Sequence, residues 1–164
     1  MLIVLSGLPG TGKTTIAREL ARITGAVHLR IDSIEQRMRE GGIKVQGEGY
    51  AVAYARAEDD LRIGRTVIAD CVNPWPLTRD AWRGIAERAG VKTLDIEVVC
   101  SDAAEHRRRV ETRSPDIAGH QLPSWQDVVD RDYHSWDRER LVLDTAFLSV
   151  DECVNAILRA LHLR

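Results

Sequence analysis

Eight residues near the start of the chain have the types and the spacing needed to bind a phosphate group. Their order follows the pattern G-x-x-x-x-G-K-[ST] at every fixed position. Glycines let backbone N–H groups turn inward around an anion, and the N-terminus of a following helix adds a favourable dipole. A lysine at this spacing reaches the β- and γ-phosphates of a nucleotide, and the hydroxyl after it can bind Mg²⁺. The residues are Gly7, Leu8, Pro9, Gly10, Thr11, Gly12, Lys13 and Thr14.

The sequence on both sides of this segment supports the phosphate-binding interpretation. A continuous apolar run at residues 2–5 ends just before it, which is typical of a strand buried on both faces. Ile16, Leu20 and Ile23 follow at helical spacing, and Gly25 ends the pattern. The alternative is a glycine-rich turn that binds nothing. We disfavour it because the flanks fit a strand, a loop and a helix in that order.

Short apolar runs alternate with amphipathic segments along the rest of the chain. The runs predict strands at residues 2–5, 26–31, 66–71, 94–100 and 141–144. The segments predict helices at residues 12–24, 33–39, 50–64, 78–90, 102–113, 124–136 and from 149 onward. Buried strands that alternate with helices indicate an α/β domain with a parallel sheet.

The composition limits the classes of protein to which this chain can belong. Its 164 residues fit one domain, and 23 Lys and Arg against 25 Asp and Glu give a formal net charge of −2. This balance argues against a dedicated nucleic-acid-binding domain. The length is short for motor ATPases, AAA+ machines included. Cys71, Cys100 and Cys153 lack disulfide or zinc spacing. We expect a soluble, cytoplasmic protein because no signal peptide or membrane-spanning stretch is present.

The chain also lacks the guanine-reading sequence Asn-Lys-x-Asp and the transporter sequence Leu-Ser-Gly-Gly-Gln. With its phosphate loop, it resembles the small P-loop kinases of the gluconate kinase, adenylylsulfate kinase, chloramphenicol phosphotransferase and zeta-toxin group, which are related to nucleoside monophosphate kinases. The resemblance implies a three-layer α/β/α P-loop NTPase fold with a five-stranded parallel sheet in the order 2-3-1-4-5. It also implies ATP and Mg²⁺ as cofactors, a single kinase domain over residues 1–164, and a lid at about residues 107–124.

An acidic residue after the second strand faces the acceptor site in that group, and Asp32 occupies this position here. Such a carboxylate can bind the acceptor hydroxyl and accept its proton during phosphoryl transfer. The alternative is that Asp32 caps the next helix, with Glu35 three residues later completing a capping box. The two roles are compatible, because a helix start also suits an acceptor anion.

The segment after the third strand resembles the substrate side of the same kinases. Asp70 ends that strand, where an acidic residue can hold a Mg²⁺-bound water or a substrate group, whereas the alternative is a simple turn residue. Asn73 and Arg79 follow in the layout Asp-x-x-Asn-x₅-Arg. The resemblance implies that both contact the acceptor, with Arg79 binding an acceptor anion. Thr14 and Asp70 are therefore the predicted metal-site residues.

Four arginines in seven residues, at positions 107, 108, 109 and 113, follow the fourth strand. A charge run of this kind is often only a solvated helix face. Arg109 and Arg113 share one face, however, and their spacing resembles the lid of these kinases. Lid arginines neutralise phosphate charge in the transition state, and one often stacks on adenine. The resemblance thus implies that Arg109 and Arg113 are catalytic, and that Arg109 and Thr15 join the phosphate loop in binding the nucleotide.

These observations predict an ATP- and Mg²⁺-dependent phosphotransferase acting on a hydroxyl or a small acidic metabolite. Lys13, Asp32 and the lid arginines carry the chemistry in this interpretation. A nucleotide or polynucleotide-end kinase is one alternative, and a non-catalytic ATP-binding regulatory module is another. We expect ATP and a small-molecule acceptor as partners, no membrane, nucleic acid disfavoured, and a monomer or homodimer.

Overall fold

The buried apolar runs of the sequence form the strands of one parallel sheet. The structure is a computed structural model, and it describes residues 1–45 and 47–162. The strands in this part of the chain are β1 (Leu2–Ser6), β2 (Val27–Arg30), β3 (Val67–Asp70), β4 (Thr93–Val99) and β5 (Leu141–Asp144). Their order across the sheet is β2-β3-β1-β4-β5, and all neighbouring pairs are parallel. The predicted sheet and its strand order are confirmed.

Helices connect the strands and cover both faces of the sheet. In chain order they are α1 (Lys13–Thr24), α2 (Ile31–Glu40), α3 (Glu48–Arg62), α4 (Pro76–Arg88), α5 (Ala103–Thr112), α6 (Trp125–Val129) and α7 (Val150–His162). The central strand β1 is buried over its whole length, and alternate residues face opposite layers. Leu2 and Val4 belong to a core with Trp82 of α4, while Ile3 and Leu5 belong to a core with α1 and α7. The predicted three-layer architecture is therefore confirmed.

The helix predicted at residues 124–136 is wrong in its second half. Helix α6 ends at Val129, and the residues that follow have irregular backbone. The reason is a long-range interaction, because Arg79 donates hydrogen bonds to the carbonyl oxygens of His134 and Ser135. In addition, the His134 N–H, which a continuing helix would direct to the carbonyl oxygen of residue 130, donates to the Pro74 carbonyl oxygen at 2.9 Å. The Trp136 ring packs on the same guanidinium, 4.2 Å from it.

The predicted start of the fourth helix is also corrected. The helix predicted from residue 78 begins two residues earlier, at Pro76, with Trp75 in the N-cap position. Proline suits the first helical turn, since its fixed φ is already helical and no N–H is needed there. The Thr78 hydroxyl donates back to the Trp75 carbonyl oxygen at 2.9 Å.

The predicted domain covers residues 1–164, of which positions 46, 163 and 164 lie outside the described residues. Within the predicted lid, residues 107–112 are the last turns of α5, and the chain from 113 to 124 has no regular secondary structure. Of the helices in the described part of the chain, none combines the length and the apolar character required to cross a membrane.

Candidate active site

The phosphate loop connects β1 to α1 and requires glycine at defined positions. Gly7, Gly10 and Gly12 have φ of 142°, 86° and 96°, a region that L side chains rarely adopt. A Cβ on Gly7 would lie 2.2 Å from the backbone oxygen of Val98, and one on Gly10 would lie 2.6 Å from Val110 Cγ2. Glycine at these positions therefore allows both the backbone conformation of the loop and its close packing against β4 and α5.

Side chains from distant segments fix the outer part of this loop. The Nε2 atom of His106 on α5 is 2.8 Å from the Pro9 carbonyl oxygen, and the Thr145 hydroxyl donates to the Thr11 carbonyl oxygen at 2.8 Å. The Thr11 hydroxyl closes the turn on the Leu8 carbonyl oxygen at 2.9 Å. Sequence reasoning missed His106. Its spacing of four residues from buried Val110 would have placed both on one inward helix face.

Lys13 is buried at the first turn of α1, with its ammonium group among carbonyl and carboxylate oxygens. Its Nζ donates to the Leu8 carbonyl oxygen at 2.8 Å. Burial lowers the pKa of Lys13, and the negative charges of Asp70 and Asp32 act in the opposite direction. A cation held in this way, next to inward-facing loop amides, is placed to meet anionic phosphate oxygens.

Asp70 ends β3 beside the start of α1, and it is almost fully buried. His28 Nε2 lies 3.1 Å from its carboxylate, and the Thr14 hydroxyl also hydrogen-bonds to it. Burial acts to raise the pKa of Asp70, but the His28 hydrogen bond and the charge of Lys13 outweigh it and lower the pKa below its usual range.

The neighbouring oxygens of Thr14 and Asp70 fit the ligand preference of Mg²⁺. This ion is usually held by one or two carboxylate or hydroxyl oxygens together with nucleotide phosphates and waters. No group of three or more His, Cys, Asp and Glu side chains in the described residues could hold a metal without such help. The donor set therefore fits a nucleotide-bound magnesium ion better than a stand-alone metal site.

A cavity of about 1040 Å³ lies over the phosphate loop. It brings together most of the side chains that the sequence singled out. The predicted residues that line it are Pro9, Gly10, Gly12, Lys13, Thr14, Thr15, Asp32, Asp70, Arg109 and Arg113. None of the Trp, Tyr and Phe side chains in the described residues lines this cavity, so charged and polar groups dominate it.

Asp32 lies in the first turn of α2, and its carboxylate is about half exposed at the cavity. The capping alternative is wrong, because the helix begins at Ile31 and Arg30 occupies the N-cap position without a side-chain capping bond. Glu35 instead pairs with Arg39 at 3.1 Å. Asp32 therefore does not cap this helix.

The four arginines of the charge run separate into two pairs. Arg107 and Arg108 are well exposed and bond to glutamates on their own helix, as a solvated face does. Arg109 bonds to Glu105 and to both the hydroxyl and the carbonyl oxygen of Thr145, the latter two at 2.9 Å each. Hydrogen bonds from Arg108 and Arg109 lower the pKa of Glu105 to about 2.

Arg113 closes the cavity from the end of α5. Its Nε atom is buried and has no hydrogen-bond partner in the described residues. Burial lowers the pKa of Arg113, while the charge of Asp32 opposes this shift. Arg109 thus faces the loop after β5, and Arg113 faces the side of the cavity that contains Asp32.

Asn73 and Arg79 do not line the cavity, and the predicted contact of Arg79 with an acceptor anion is corrected. Both side chains are completely buried. The Asn73 amide donates to the Ser6 hydroxyl at 2.9 Å. Arg79 donates to the carbonyl oxygens of Asn73 and Pro74 in addition to those of residues 134 and 135. These residues brace the loop after β3. Gly7, Leu8 and Thr11 of the phosphate loop do not line the cavity either, and they contribute to the conformation of that loop.

The cavity also contains charged residues that sequence reasoning missed. Arg18 lies on α1 one turn beyond Thr14, Arg30 ends β2, and Asp116 lies in the loop after α5. Arg18 follows Thr14 at a spacing of four, which places both on one helix face and was a usable signal. Nothing in the local sequence indicated that Asp116 folds back onto these two arginines.

Comparisons with known proteins agree with this geometry. Residues 2–131 match the model of a family described as an AAA domain. A "Probable adenylyl-sulfate kinase" of Aeropyrum pernix is 27% identical, over 94% of this chain and 88% of that protein. A cytidylate kinase of Pyrobaculum aerophilum is 29% identical, over 94% and 89%. The solved APS kinase of Mycobacterium tuberculosis, in complex with AMPPNP and APS, has a TM-score of 0.69 at 17% identity, over 98% of this chain and 96% of that one. The match also shows that chain length did not exclude an AAA-type domain.

Proposed function

Because this chain belongs to the family described as an AAA domain and its named relatives are kinases, we propose that it is an ATP- and Mg²⁺-dependent phosphotransferase. It transfers the γ-phosphoryl group of ATP to a hydroxyl or to a small acidic metabolite. One observation carries the proposal: a phosphate loop with Lys13, an oxygen pair at Thr14 and Asp70, and the carboxylate of Asp32 all face one cavity.

The loop amides and Lys13 bind the phosphates in this proposal. The Lys13 ammonium exchanges the Leu8 carbonyl oxygen for phosphate oxygens, which carry more charge and form stronger hydrogen bonds. Thr14 and Asp70 would hold magnesium, which would supply positive charge to the nucleotide phosphates. His28 keeps the Asp70 carboxylate oriented and ionised for that purpose.

Asp32 is the proposed base. As the acceptor oxygen bonds to the γ-phosphorus and the bond from that phosphorus to the β,γ-bridging oxygen breaks, the hydroxyl proton passes to the Asp32 carboxylate. Arg113, on the same side of the cavity as Asp32, contributes positive charge that stabilises the negative charge on the transferring group. Arg109, fixed on Thr145, lies where it can contact the nucleotide base.

A nucleotide acceptor is the second candidate, and the similarity to a cytidylate kinase favours it. The cavity favours it less, because the described lining residues include no Trp, Tyr or Phe ring on which an acceptor base could stack. A non-catalytic module is disfavoured, since Lys13, Thr14, Asp32 and Asp70 are all present and line one cavity.

The test measures nucleotide binding and acceptor-dependent ADP release for wild type, Lys13→Ala and Asp32→Asn, across a panel of alcohols, acidic metabolites and nucleotides. We expect Lys13→Ala to lose ATP affinity. Asp32→Asn should keep ATP affinity and lose roughly 10²–10⁴-fold in turnover with whichever acceptor is active. Asp59→Asn, an exposed carboxylate on α3, is the matched control. Unchanged ATP binding in Lys13→Ala, or unchanged turnover in Asp32→Asn, would exclude this mechanism.

A further inference from the structure

A single carboxylate bridges arginines from two separate elements of the cavity wall. The Asp116 carboxylate lies 2.5 Å from the Arg18 guanidinium and 2.6 Å from that of Arg30. Arg113, which follows α5, contributes a third guanidinium close enough for Arg30 and Asp116 to affect its pKa. We call Arg18, Arg30 and Arg113 the arginine cluster. All three line the same cavity as Lys13.

The arginine cluster has more hydrogen-bonding capacity than Asp116 uses. The Nε atoms of Arg30 and Arg113 are buried, and in the described residues neither has a hydrogen-bond partner. A buried donor left without a partner costs about 1–3 kcal/mol, so such atoms are uncommon in a folded core. A carboxylate has only two oxygens and one charge, and even with Asp32 beside Arg30 the three positive charges of the cluster exceed the two negative charges. A sulfate, phosphate or phosphonate group, with three or more oxygens and up to two charges, matches the cluster better.

The position of the cluster separates it from the nucleotide phosphates. Arg30 directly precedes α2, and its guanidinium is 3.7 Å from Asp32, the proposed base. Arg113 is likewise within electrostatic reach of Asp32. The nucleotide, in contrast, is anchored by Lys13 and Thr14 at the start of α1. An anion held by the cluster would therefore lie next to Asp32 on the acceptor side.

The location of Asp116 would allow its carboxylate to separate from the two arginines. It lies between residues 113 and 124, where the chain has no regular secondary structure, and its side chain is more than a third exposed. Its two ion-pair partners, Arg18 and Arg30, are 98 and 86 positions away in the sequence. The two ion pairs therefore also hold this loop against the cavity. Displacing the carboxylate would release the loop without breaking a helix or a strand.

We propose that the arginine cluster is a subsite for a tetrahedral oxyanion of the acceptor, and that Asp116 occupies it as an internal substitute until the acceptor binds. This inference rests on the proposed function, and it narrows the acceptor to a molecule that carries a sulfate, phosphate or phosphonate group near its reacting hydroxyl. Acceptor binding and release of the lid loop are then coupled, because the acceptor anion and the Asp116 carboxylate compete for Arg18 and Arg30.

The experiment measures binding of inorganic sulfate by calorimetry in the presence of saturating Mg²⁺ and AMPPNP. The nucleotide analogue fills the phosphate loop, so sulfate cannot bind there, and the arginine variants show whether it binds at the cluster. We expect Asp116→Asn to bind sulfate about tenfold more tightly than wild type. A tenfold difference corresponds to a wild-type protein in which the Asp116 carboxylate occupies the subsite about nine-tenths of the time. Arg30→Gln and Arg18→Gln should weaken sulfate binding. The second of these variants changes an exposed side chain and does not endanger folding.

Asp59→Asn and Arg37→Gln, which alter exposed charges on α3 and α2, are the matched controls. Sulfate affinity that is equal or weaker in Asp116→Asn than in wild type would overturn the proposal, and so would unchanged affinity in both arginine variants. Affinity for AMPPNP is measured in parallel. Its loss in Lys13→Ala tests the proposed function separately, so the two ideas can fail independently.

Discussion

The His106 ring of α5 lies 2.8 Å from the carbonyl oxygen of Pro9, and the hydrogen bond between them joins α5 to the phosphate loop. The ring nitrogen donates, because a carbonyl oxygen can only accept. The imidazole also meets the Trp125 ring edge-on, with ring centroids 5.2 Å apart. A buried histidine thus connects the nucleotide-binding loop, α5 and the short helix that follows the lid loop.

Replacing His106 by Phe should keep the packing on Trp125 and remove the donor to Pro9. We expect a stability loss of about 1 kcal/mol for the lost hydrogen bond. The KM for ATP should rise about fivefold, since a loop that is less fixed loses more entropy on binding. His106→Gln, whose amide can still donate, should recover much of the affinity. Nucleotide titrations by calorimetry provide the measurement, and equal ATP affinity in all three proteins would contradict the role assigned to this bond.

The glycines of the phosphate loop should tolerate an added side chain less well than glycines elsewhere in the chain. Gly7→Ala places a Cβ 2.2 Å from a backbone oxygen that cannot move aside, at a φ already strained for alanine. We expect a loss of about 3 kcal/mol or more. Gly25 at the end of α1 also has a positive φ, but a Cβ at this position would have no neighbour within 4 Å, so Gly25→Ala should cost only about 1 kcal/mol. Urea denaturation of both variants compares steric conflict with backbone strain alone, and equal losses in the two would contradict the steric argument.

Much of the fold was predictable because its signals are local. Parallel strands buried on both faces have continuous apolar runs, and residues 2–5 and 67–69 show them clearly. The phosphate loop is one contiguous motif between a strand and a helix. The resemblance to small P-loop kinases is confirmed by the family match and by the kinase relatives. The proposed acceptor side was harder, because its residues come from separate segments that meet only in the folded chain.

Two errors share one physical cause. Apolar and aromatic residues at 125, 129, 133 and 136 have helical spacing, yet the His134 N–H donates to Pro74 and the buried guanidinium of Arg79 donates to the carbonyl oxygens of His134 and Ser135, which holds this segment against the loop after β3. The same burial makes Arg79 unavailable to an acceptor. A single sequence does not reveal such a pairing across more than fifty residues, because neither partner has a local signature.

Arg79→Lys tests that structural assignment. Lysine keeps the charge but cannot reach four carbonyl oxygens from one planar group, so we expect destabilisation by about 3 kcal/mol. Acceptor and ATP KM values of the folded fraction should stay within about twofold, since the side chain lies outside the cavity. Arg88→Lys, an exposed change on the same helix, is the control. A selective rise in the acceptor KM at unchanged stability would restore the original substrate-binding hypothesis.

The pH dependence of stability should contain a contribution from Asp70. Its pKa is lower in the folded protein than in the unfolded chain, so the unfolded state binds the proton more tightly. The stabilisation is complete above the unfolded pKa of about 3.9 and disappears as the pH falls through the folded value. Wild type should therefore lose more stability than Asp70→Asn between about pH 5 and the acid limit. Urea titrations at a series of pH values measure this difference, and parallel curves for the two proteins would show that the carboxylate is not stabilised by His28 and Lys13.

Lys13→Met should separate stability from function. The fold holds the ammonium group in a buried position that lowers its pKa, which means that the charged form is less stable there than in water. Replacing it by a hydrophobic side chain of similar length removes that desolvation cost, and we expect a gain of about 1 kcal/mol in the absence of nucleotide. ATP binding should fall steeply in the same variant, because the phosphates lose their buried cation. Lys44→Met, which changes an exposed lysine before α3, controls for the general effect of removing a charge.

Thermal denaturation of Lys13→Met with and without nucleotide gives both quantities. The variant should melt at a higher temperature than wild type without ATP, and it should show little further shift when ATP is added, because only binding to the folded state raises the melting temperature. A variant that is less stable than wild type without nucleotide would mean that the hydrogen bond from Lys13 to the Leu8 carbonyl oxygen outweighs the desolvation of the ammonium group.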